Sequence, residues 1–268
     1  MTKRRSAAEI AQDTVAILRA GHYVTPGGAR VVLGADLHRA VKGTIDYAPD
    51  DALPPYPPAG HRTRYEVANE TTLAAARRLV AAGHDVAALN FASARHPGGG
   101  FLNGARAQEE SLCRASGLYP CLLPSKMYGH HSGDRGGFYS DYAVYSPGVP
   151  VIRDDDGKLL DAYYLCSFVT APAVNVGATR DRSRDAIRAE MARRVRKVLA
   201  IAAGHGHDGV VLGAWGCGVF RNDPEEIAEL FREALGGEFH GAFARVAFAV
   251  LDSSADGHFI GPFERRFR

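Results

Sequence analysis

The sequence is poor in the residues that mark secreted, metal-binding and membrane proteins. Its 268 residues include only four cysteines, and no two of them form a CxxC pair. Neither a disulfide framework nor a zinc site is therefore indicated, and a reducing cytoplasm is the expected location. The apolar runs are too short to span a membrane, and the basic N-terminus lacks the apolar segment of a signal peptide. A net charge of only +2 argues against a general DNA-binding surface.

The usual motifs for nucleotides and metals do not account for the chain either. It contains no GK[ST] segment and hence no P-loop, and neither of its two glycine-rich loops, described below, completes GxGxxG. The histidines at 130, 131, 205 and 207 lie outside any HExxH-like frame, so loop histidines are expected there rather than metal ligands. We therefore expect neither a metal nor another cofactor.

The overall composition is that of a soluble globular protein, with 46% hydrophobic and 23% charged residues. A proline-rich stretch at 46–64 is interpreted as a linker. Residues 1–60 are then an N-terminal extension with its linker, packed as one unit on a main body of residues 61–268. In the extension, Ser6 and Glu9 predict a capping box for a helix that Gly21 ends. A second helix near 35–42 follows a predicted hairpin around TPGG.

After the linker, strand and helix patterns alternate. Strands are predicted at 64–69, 85–93, 162–173, 208–220 and 245–254, a β-hairpin at 136–158, and helices at 71–83, from 108, around 187–199 and from 223. This order predicts an α/β layered fold with a mixed sheet. Ligands in such folds bind at the carboxyl ends of the strands, where the stretches 69–72, 90–110 and 215–223 fall.

Two glycine-rich loops each follow an apolar strand and precede a helix. They are NFASARHPGGGFLNGARAQEE and LGAWGCGVFRNDPEE. Glycine allows the backbone to approach an anion closely, and the following helix offers free N–H groups. One such loop alone is more simply a tight turn. Two in corresponding positions predict a diphosphate site.

Two adjacent carboxylates, Glu109 and Glu110, follow the first glycine run. Carboxylates are common in the first turn of a helix because they complement its dipole, so a purely structural role is one interpretation. Neighbouring helix residues point about 100° apart, which argues against an acid and base pair that flanks one bond. We expect one carboxyl to act on a bond while its neighbour positions a hydroxyl.

The three glycines at 98–100, a seven-residue spacer and the triplet Gln108, Glu109 and Glu110 resemble the GGG…QEE signature of poly(ADP-ribose) glycohydrolases. The stretches NETTLAAARRL, YSDYAVYSP, SFVTAPA and LGAWGCGVFRNDP resemble the short microbial type, so the likeness covers nearly the whole chain. It implies a macrodomain-like α/β fold, with a mixed β-sheet sandwiched between helices and an N-terminal helical extension. The implied activity is hydrolysis of the ribose–ribose O-glycosidic bond, releasing ADP-ribose mainly from chain ends.

The resemblance also implies roles for individual residues. Glu110 would protonate the departing 2′-oxygen and then activate water, and partial burial of this glutamate would raise its pKa. Glu109 would orient a ribose hydroxyl, Asn90 would contact the distal ribose, and Phe220 would stack near the adenosine. From its place at a strand end, Glu70 is a candidate contact for adenine. The other implied substrate-binding residues are Gly98, Gly99 and Gly100 around the diphosphate, Gly216, Cys217, Gly218 and Val219 in the second phosphate loop, and Gln108.

Three functions are open at this point. They are the polymer hydrolase, a related hydrolase that removes ADP-ribose from protein or nucleic acid, and a macrodomain that binds ADP-ribose without cleaving it. The paired glutamates favour a hydrolase, since binding needs only the loops. The expected partners are poly(ADP-ribose), ADP-ribose and ADP-ribosylated proteins, with no DNA sequence recognition and no membrane. We expect a monomer.

Overall fold

The computed structural model describes residues 5–56, 60–134, 136–179 and 183–268. Its strands are β1 His22–Val24, β2 Arg30–Val32, β3 Ile45–Tyr47, β4 Arg64–Ala68, β5 Val86–Phe91, β6 Ala143–Arg153, β7 Leu159–Ala171, β8 Gly209–Leu212 and β9 Arg245–Ala249. Its helices are α1 Ala7–Ala20, α2 Gly34–Lys42, α3 Thr72–Ala81, α4 Gln108–Ala115, α5 Leu118–Leu122, α6 Met127–His131, α7 Arg184–Gly204, α8 Pro224–Gly236 and α9 Gly261–Phe267, with a 3-10 turn at Phe101–Asn103. In these parts of the chain, no helix is both long and apolar enough to cross a membrane.

Seven of the described strands form one central sheet in the order β3-β6-β7-β5-β8-β9-β4. The strands from β7 to β4 in this order are parallel, whereas β3 and β6 add an antiparallel edge. The carboxyl ends of β5 and β8 are therefore side by side in the middle of the sheet. This neighbourhood brings the two glycine-rich loops together, as the alternating pattern predicts.

Each face of the sheet is covered by its own helices. Along β5, Ala87 and Leu89 pack in one core cluster with residues of α7, α8 and α9. The alternate residues Val86 and Ala88 pack in the other cluster with residues of α3, α4, α5 and α6. Side chains of a strand point alternately to opposite faces, so an apolar run such as β5 requires a helical layer on both sides. The predicted sandwich of a mixed sheet between helices is confirmed.

Local helix signals are confirmed in the N-terminal extension. The Ser6 hydroxyl accepts from the Glu9 N–H at 3.2 Å, and the Glu9 carboxylate accepts from the Ser6 N–H at 2.6 Å, which is the predicted capping box of α1. Gly21 ends this helix with a φ of +70°, in the left-handed region that favours glycine. The hairpin of β1 and β2 and the helix α2 follow, as predicted.

Three sequence interpretations differ from the structure. The segment 46–64 begins within β3, which joins the main sheet by pairing with β6, so it is a linker only after Tyr47; residues 57–59 of it and residues 1–4 of the extension lie outside the described residues. The hairpin predicted at 136–158 starts only at Ala143, and the strand predicted separately at 162–173 is its second arm. The short helices α5 and α6 were not predicted, and α6 carries His130 and His131.

The extension is also joined to the sheet by a buried cation. Arg153, at the end of β6, is 3% exposed, and its guanidinium donates to the Thr14 hydroxyl and to the Gly157 carbonyl, both at 2.8 Å. It also pairs with Asp13 of α1. Removal of one partner from a buried ion pair leaves an uncompensated charge, so the extension and the main body stabilise each other.

Candidate active site

The loops that follow β5, β8 and β9 enclose a cleft at the carboxyl edge of the parallel strands. It consists of two cavities of about 290 and 310 Å³. The first, which we call the glutamate cavity, contains Glu109 and Glu110, and the second, the Phe259 cavity, extends to Glu70 and Phe259. The cavities are continuous because they share five bordering residues: Phe91, Ala107, Gln108, Ala214 and Gly218. Their size suits a small-molecule ligand.

Gly99 lies directly against the paired carboxyl groups. A Cβ atom on Gly99 would be 2.3 Å from Oε1 of Glu110 and 3.3 Å from Oε2 of Glu109. Gly99 has a φ of +57°, and Gly98 has a φ of +70°, a region that favours glycine. A Cβ on Gly98 would be only 3.1 Å from the Cys113 sulfur. The glycine run therefore lets the loop pass over the start of α4 at a separation that a side chain would prevent.

Glu109 is the buried member of the pair, with 3% of its surface exposed. The Ser93 N–H donates to its Oε2 at 2.7 Å, and the Asn90 amide donates to its Oε1 at 3.3 Å. Burial raises the pKa of Glu109 to about 8; these hydrogen bonds oppose the rise, and the charge of Glu110 adds to it. The raised pKa is predicted for the glutamate that acts as acid, whereas the structure shows it for the neighbour that α4 turns into the core.

Glu110 faces the cavity and is only partly buried. Its Oε1 accepts from the Gly100 N–H at 3.0 Å, and its Oε2 accepts no hydrogen bond from the described residues. The helical offset of about 100° thus turns one carboxyl inward and presents the other to the cleft. This arrangement agrees with the expectation of one acting and one positioning carboxyl.

Gln108 ties the start of α4 to β5. Its Oε1 accepts from the Phe91 N–H at 2.9 Å, and its Nε2 donates to the Leu89 carbonyl at 2.8 Å and to the Thr72 hydroxyl at 3.1 Å. Both hydrogens of the amide nitrogen are engaged by protein acceptors. Gln108 therefore positions the glutamates, while its contact with substrate stays a prediction.

Asn90 is fully buried beneath Glu109. Its Nδ2 donates to Glu109 and, at 3.1 Å, to the Thr170 hydroxyl, and its Oδ1 accepts no hydrogen bond from the residues that the structure describes. A side chain in this place orients the Glu109 carboxyl. Its predicted contact with a ribose stays a prediction.

The second loop offers free backbone donors to the cleft. Gly216 has a φ of +73°, and the Asn222 amide holds the turn by donating to the Gly216 carbonyl at 3.2 Å. The N–H groups of Gly216, Gly218, Val219 and Phe220 donate to no acceptor among the described residues. Val219 is 79% exposed. Several free N–H groups in one turn can form an anion site.

The first loop offers fewer free donors. The Gly99 N–H donates to the His96 carbonyl at 2.9 Å, and the Gly100 N–H is engaged by Glu110. In this structure these glycines place the carboxyl groups, and their predicted contact with a diphosphate stays a prediction.

Cys217, between two of these glycines, packs inward. Its thiol is buried and contacts the Trp215 carbonyl at 3.7 Å, and burial raises its pKa. Only its backbone is suited to ligand binding.

The far end of the cleft holds Glu70 and an aromatic residue that the sequence patterns do not reveal. Glu70 borders the Phe259 cavity and pairs with Arg78 at 2.9 Å. The loop after β9 presents Phe259, whose N–H donates to the buried Asp252 carboxylate at 2.8 Å. Phe220 borders the glutamate cavity, and its expected place near the adenosine stays a prediction. The signal that could identify Phe259 is its position in a loop at the carboxyl edge of the sheet.

Two residues with a strained backbone lie next to Phe220, which borders the glutamate cavity. Tyr139 and Arg221 have φ values of +53° and +60°, and they are the non-glycine residues with positive φ in the described chain. Such conformations cost on the order of 1–3 kcal/mol each and are held by their surroundings. The Tyr139 ring is 6.3 Å from that of Phe220.

Together these features suit acid catalysis beside a bound anion. The cleft combines free N–H donors, an aromatic wall and a carboxyl group that reaches the cavity. The described residues contain no group of three or more His, Cys, Asp or Glu placed to hold a metal ion. A ligand with phosphate in the middle and a sugar at the glutamate end would match this layout.

Comparisons with known proteins agree with the geometry. The family model for the catalytic domain of microbial-type PARG matches residues 11–154. The structure of poly(ADP-ribose) glycohydrolase from Thermomonospora curvata is 49% identical, with a TM-score of 0.92, and the match covers 97% of this chain and 99% of that one. The same enzyme bound to the inhibitor ADP-HPD matches with a TM-score of 0.91 and the same identity and coverage. The Deinococcus radiodurans enzyme in complex with ADP-ribose is 44% identical, with a TM-score of 0.80, and the match covers 89% of this chain and 99% of that one. No curated protein sequence matches the chain.

Proposed function

The chain belongs to the microbial-type poly(ADP-ribose) glycohydrolases, and from this premise we propose how the residues of its cleft bind the polymer and cleave it. The protein is a glycoside hydrolase that acts on poly(ADP-ribose). The family membership itself does not assign roles to individual residues. The roles below rest on the geometry of the cleft.

The ADP-ribose unit to be released lies along the two cavities. Its adenosine occupies the Phe259 cavity, where Phe259 and Glu70 are available for stacking and for a hydrogen bond. The diphosphate lies against the free N–H groups of the loop 216–220, and the distal ribose enters the glutamate cavity. The complex of the Deinococcus radiodurans enzyme with ADP-ribose supports a site of this ligand class in the family. The two cavities in line support its orientation.

Glu110 is the general acid. It protonates the 2′-oxygen of the leaving unit while the bond from that oxygen to C1″ of the distal ribose breaks. The resulting carboxylate then takes a proton from water, whose oxygen bonds to C1″. The nearby diphosphate stabilises the oxocarbenium-like transition state. The single observation that carries this assignment is that Glu110 borders the glutamate cavity and that its Oε2 has no protein partner among the described residues.

Glu109 orients the distal ribose rather than acting as the acid. Its raised pKa would suit an acid, but both of its oxygens accept hydrogen bonds from the protein in a nearly closed environment. A general acid is identified first by whether it can reach the reacting atom and only then by its pKa. A Glu109 carboxyl that remains protonated at neutral pH can donate a hydrogen bond to the oxygen of a ribose hydroxyl.

A preference for chain ends is part of the proposal. A further unit attached to the bound adenosine ribose would extend beyond the Phe259 cavity, past Asp155. The carboxylate of Asp155, held by the Thr71 hydroxyl at 2.8 Å, would repel the diphosphate of that unit. Arg106 borders the same cavity and would oppose this effect. The sizes of the products early in the reaction show whether the repulsion by Asp155 or the attraction by Arg106 dominates. Cleavage from chain ends releases ADP-ribose while long chains remain.

The decisive test of the proposed function compares two substrates. The protein is incubated with purified poly(ADP-ribose) and, separately, with a mono-ADP-ribosylated protein, and the ADP-ribose released is measured by chromatography. We expect rapid release from the polymer and slow release from the modified protein. Faster release from the modified protein would favour the alternative, a hydrolase of mono-ADP-ribosylated protein or nucleic acid.

We also propose a biological setting for the enzyme. ADP-ribosylated proteins are the proposed carriers of the polymer. Among the described residues, all four cysteines are buried and unpaired, which supports a cytoplasmic location. We propose a monomer. Cell fractionation and light scattering, respectively, test location and oligomeric state.

A further inference from the structure

Cleavage involves two ADP-ribose units. The released unit lies in the two cavities, and the leaving unit, which carries the departing 2′-oxygen, needs a binding place of its own. In poly(ADP-ribose) the departing 2′-oxygen belongs to a ribose whose neighbouring carbon, C1′, carries adenine. That adenine is therefore close to the scissile bond, just outside the glutamate cavity. We propose that Tyr139, together with Arg95 and Arg221, forms a subsite that binds the adenine and diphosphate of the leaving ADP-ribose unit; this inference rests on the proposed function.

Tyr139 lies next to the wall of the glutamate cavity. Phe220 borders the glutamate cavity and not the Phe259 cavity, and the Tyr139 ring lies beside Phe220, with ring centres 6.3 Å apart. The residue is partly exposed to solvent. The Arg95 guanidinium lies 5.8 Å from the ring centre, within the range of a cation–π contact. Base stacking on an aromatic side chain is the usual way in which proteins hold unpaired bases.

The ring is held in place by three loops that fix one another. The Asp134 carboxylate accepts from the Tyr139 N–H at 2.8 Å and so stabilises the positive φ. A Cβ on Gly137 would be 2.8 Å from the Thr179 N, which shows how closely this loop packs on the next. That second loop contacts the third through the Gly177 N–H and the Phe220 carbonyl at 3.4 Å. Strain retained at such a place points to a function for the ring that it presents.

Two cations accompany the ring. Arg95 is exposed and donates to the Asp134 carbonyl, a neutral group. Arg221 is exposed, follows Phe220 directly and packs its side chain on Gly177. Neither guanidinium pairs with a carboxylate in the described part of the chain, so both charges are available to a diphosphate. A cationic and aromatic surface of this kind suits a flexible, base-bearing polyanion.

The experiment compares the parent protein with Tyr139→Asn and Tyr139→Phe on two substrates. Asparagine tolerates the left-handed region better than most residues, so its effect reports loss of the ring rather than added strain. The substrates are poly(ADP-ribose) oligomers of uniform length and the 4-nitrophenyl glycoside of ADP-ribose, whose leaving group has neither adenine nor phosphate. We expect Tyr139→Asn to lower kcat/KM on the oligomers roughly tenfold, as loss of one stacked base would. We expect no change on the glycoside, and Tyr139→Phe to behave like the parent.

Charge is tested separately with Arg221→Asn. This change should weaken the salt dependence of kcat/KM on the oligomers and leave the glycoside unaffected, and Arg232→Asn on the exposed face of α8 serves as the matched control. Equal losses of activity on both substrates, or no loss on either, would overturn the subsite. A parent protein that cleaves neither substrate would instead contradict the proposed function.

Discussion

Gly99 and Glu110 occupy adjacent space so tightly that the position of a Cβ on Gly99 falls 2.3 Å from the Glu110 carboxyl oxygen. The glycines at 98–100 and the paired glutamates therefore form one structural unit. The first of the two glycine-rich loops places a carboxyl group, and the second offers the free N–H donors. Substitutions in the first loop should accordingly affect catalysis before they affect ligand binding.

Gly99→Ala should abolish most polymer hydrolysis while the protein remains folded, because the new methyl group displaces the Glu110 carboxyl. The matched control is Gly206→Ala, since Gly206 also has a positive φ, +83°, but has no atom within 4 Å of its Cβ position. Each change should lower the free energy of unfolding by about 1 kcal/mol through backbone strain. Initial rates and urea denaturation check the two effects, and equal activity of both variants would contradict the tight contact.

Glu110→Gln should reduce kcat on poly(ADP-ribose) by ~100- to 10,000-fold, because an amide cannot donate and recover the proton that general acid catalysis requires. The affinity for ADP-ribose, measured by calorimetry, should stay close to that of the parent. Glu226→Gln is the control, since Glu226 lies in the first turn of α8, outside the cleft. An active Glu110→Gln variant would transfer the acid role to Glu109.

Glu109→Gln should change how stability depends on pH. The folded protein keeps a proton on Glu109 up to a pKa of about 8, whereas the unfolded chain releases it near 4.5. Between these values the folded state binds more protons, so the contribution of Glu109 to the free energy of unfolding falls as pH rises. It is fully present below pH 4.5 and lost above pH 8, by an amount on the order of a few kcal/mol.

The glutamine variant cannot ionise, so its stability should fall less across that window. Urea denaturation at several pH values measures the difference from the parent. In this variant the Asn90 amide can rotate so that its Oδ1 accepts a hydrogen bond from the new glutamine amide, since this oxygen has no partner in the described chain. Glu226→Gln should follow the parent curve. Parallel curves for parent and Glu109→Gln would show that the carboxyl is already ionised at neutral pH.

Phe259→Ala and Phe220→Ala should have different effects, because the two rings border different cavities. Loss of Phe259 should weaken ADP-ribose binding by roughly 5- to 100-fold, in keeping with the loss of one base–aromatic stack. Loss of Phe220 should mainly reduce kcat, because this ring borders the cavity with the glutamates. Calorimetry with ADP-ribose and steady-state rates separate the two. The reverse pattern would support the sequence-based placement of Phe220 near the adenosine.

The features that the sequence predicted best depend on short-range signals. The capping box at Ser6 and Glu9 involves neighbours along the chain, and so does the helix start at Asp223, whose side chain accepts from the Glu225 N–H. The place of the paired glutamates at the start of α4 was also predictable, since it follows from a strand, a glycine run and a helix in sequence order.

The features that it did not predict depend on tertiary contacts. Strand β3 has only three residues and is a strand because β6 pairs with it. Phe259 lies at the site because the Asp252 carboxylate accepts hydrogen bonds from the N–H groups of Phe259 and Ile260 and so holds the loop after β9. Which of the two glutamates is buried follows from the packing of α4 on β5, and the sequence carries no sign of it. The strain at Tyr139 has no sequence signal either, because tyrosine rarely adopts a positive φ.

Because β3 pairs with β6, the N-terminal extension covers an edge of β6 that would otherwise be exposed. A chain beginning at residue 61 would lack β3, and the backbone N–H and carbonyl groups along the first residues of β6 would lose their partners. Bare strand edges recruit strands from other molecules and lead to aggregation. Shortening the enzyme to its family-defining motifs would therefore yield a protein that self-associates, even though every residue of the cleft is retained.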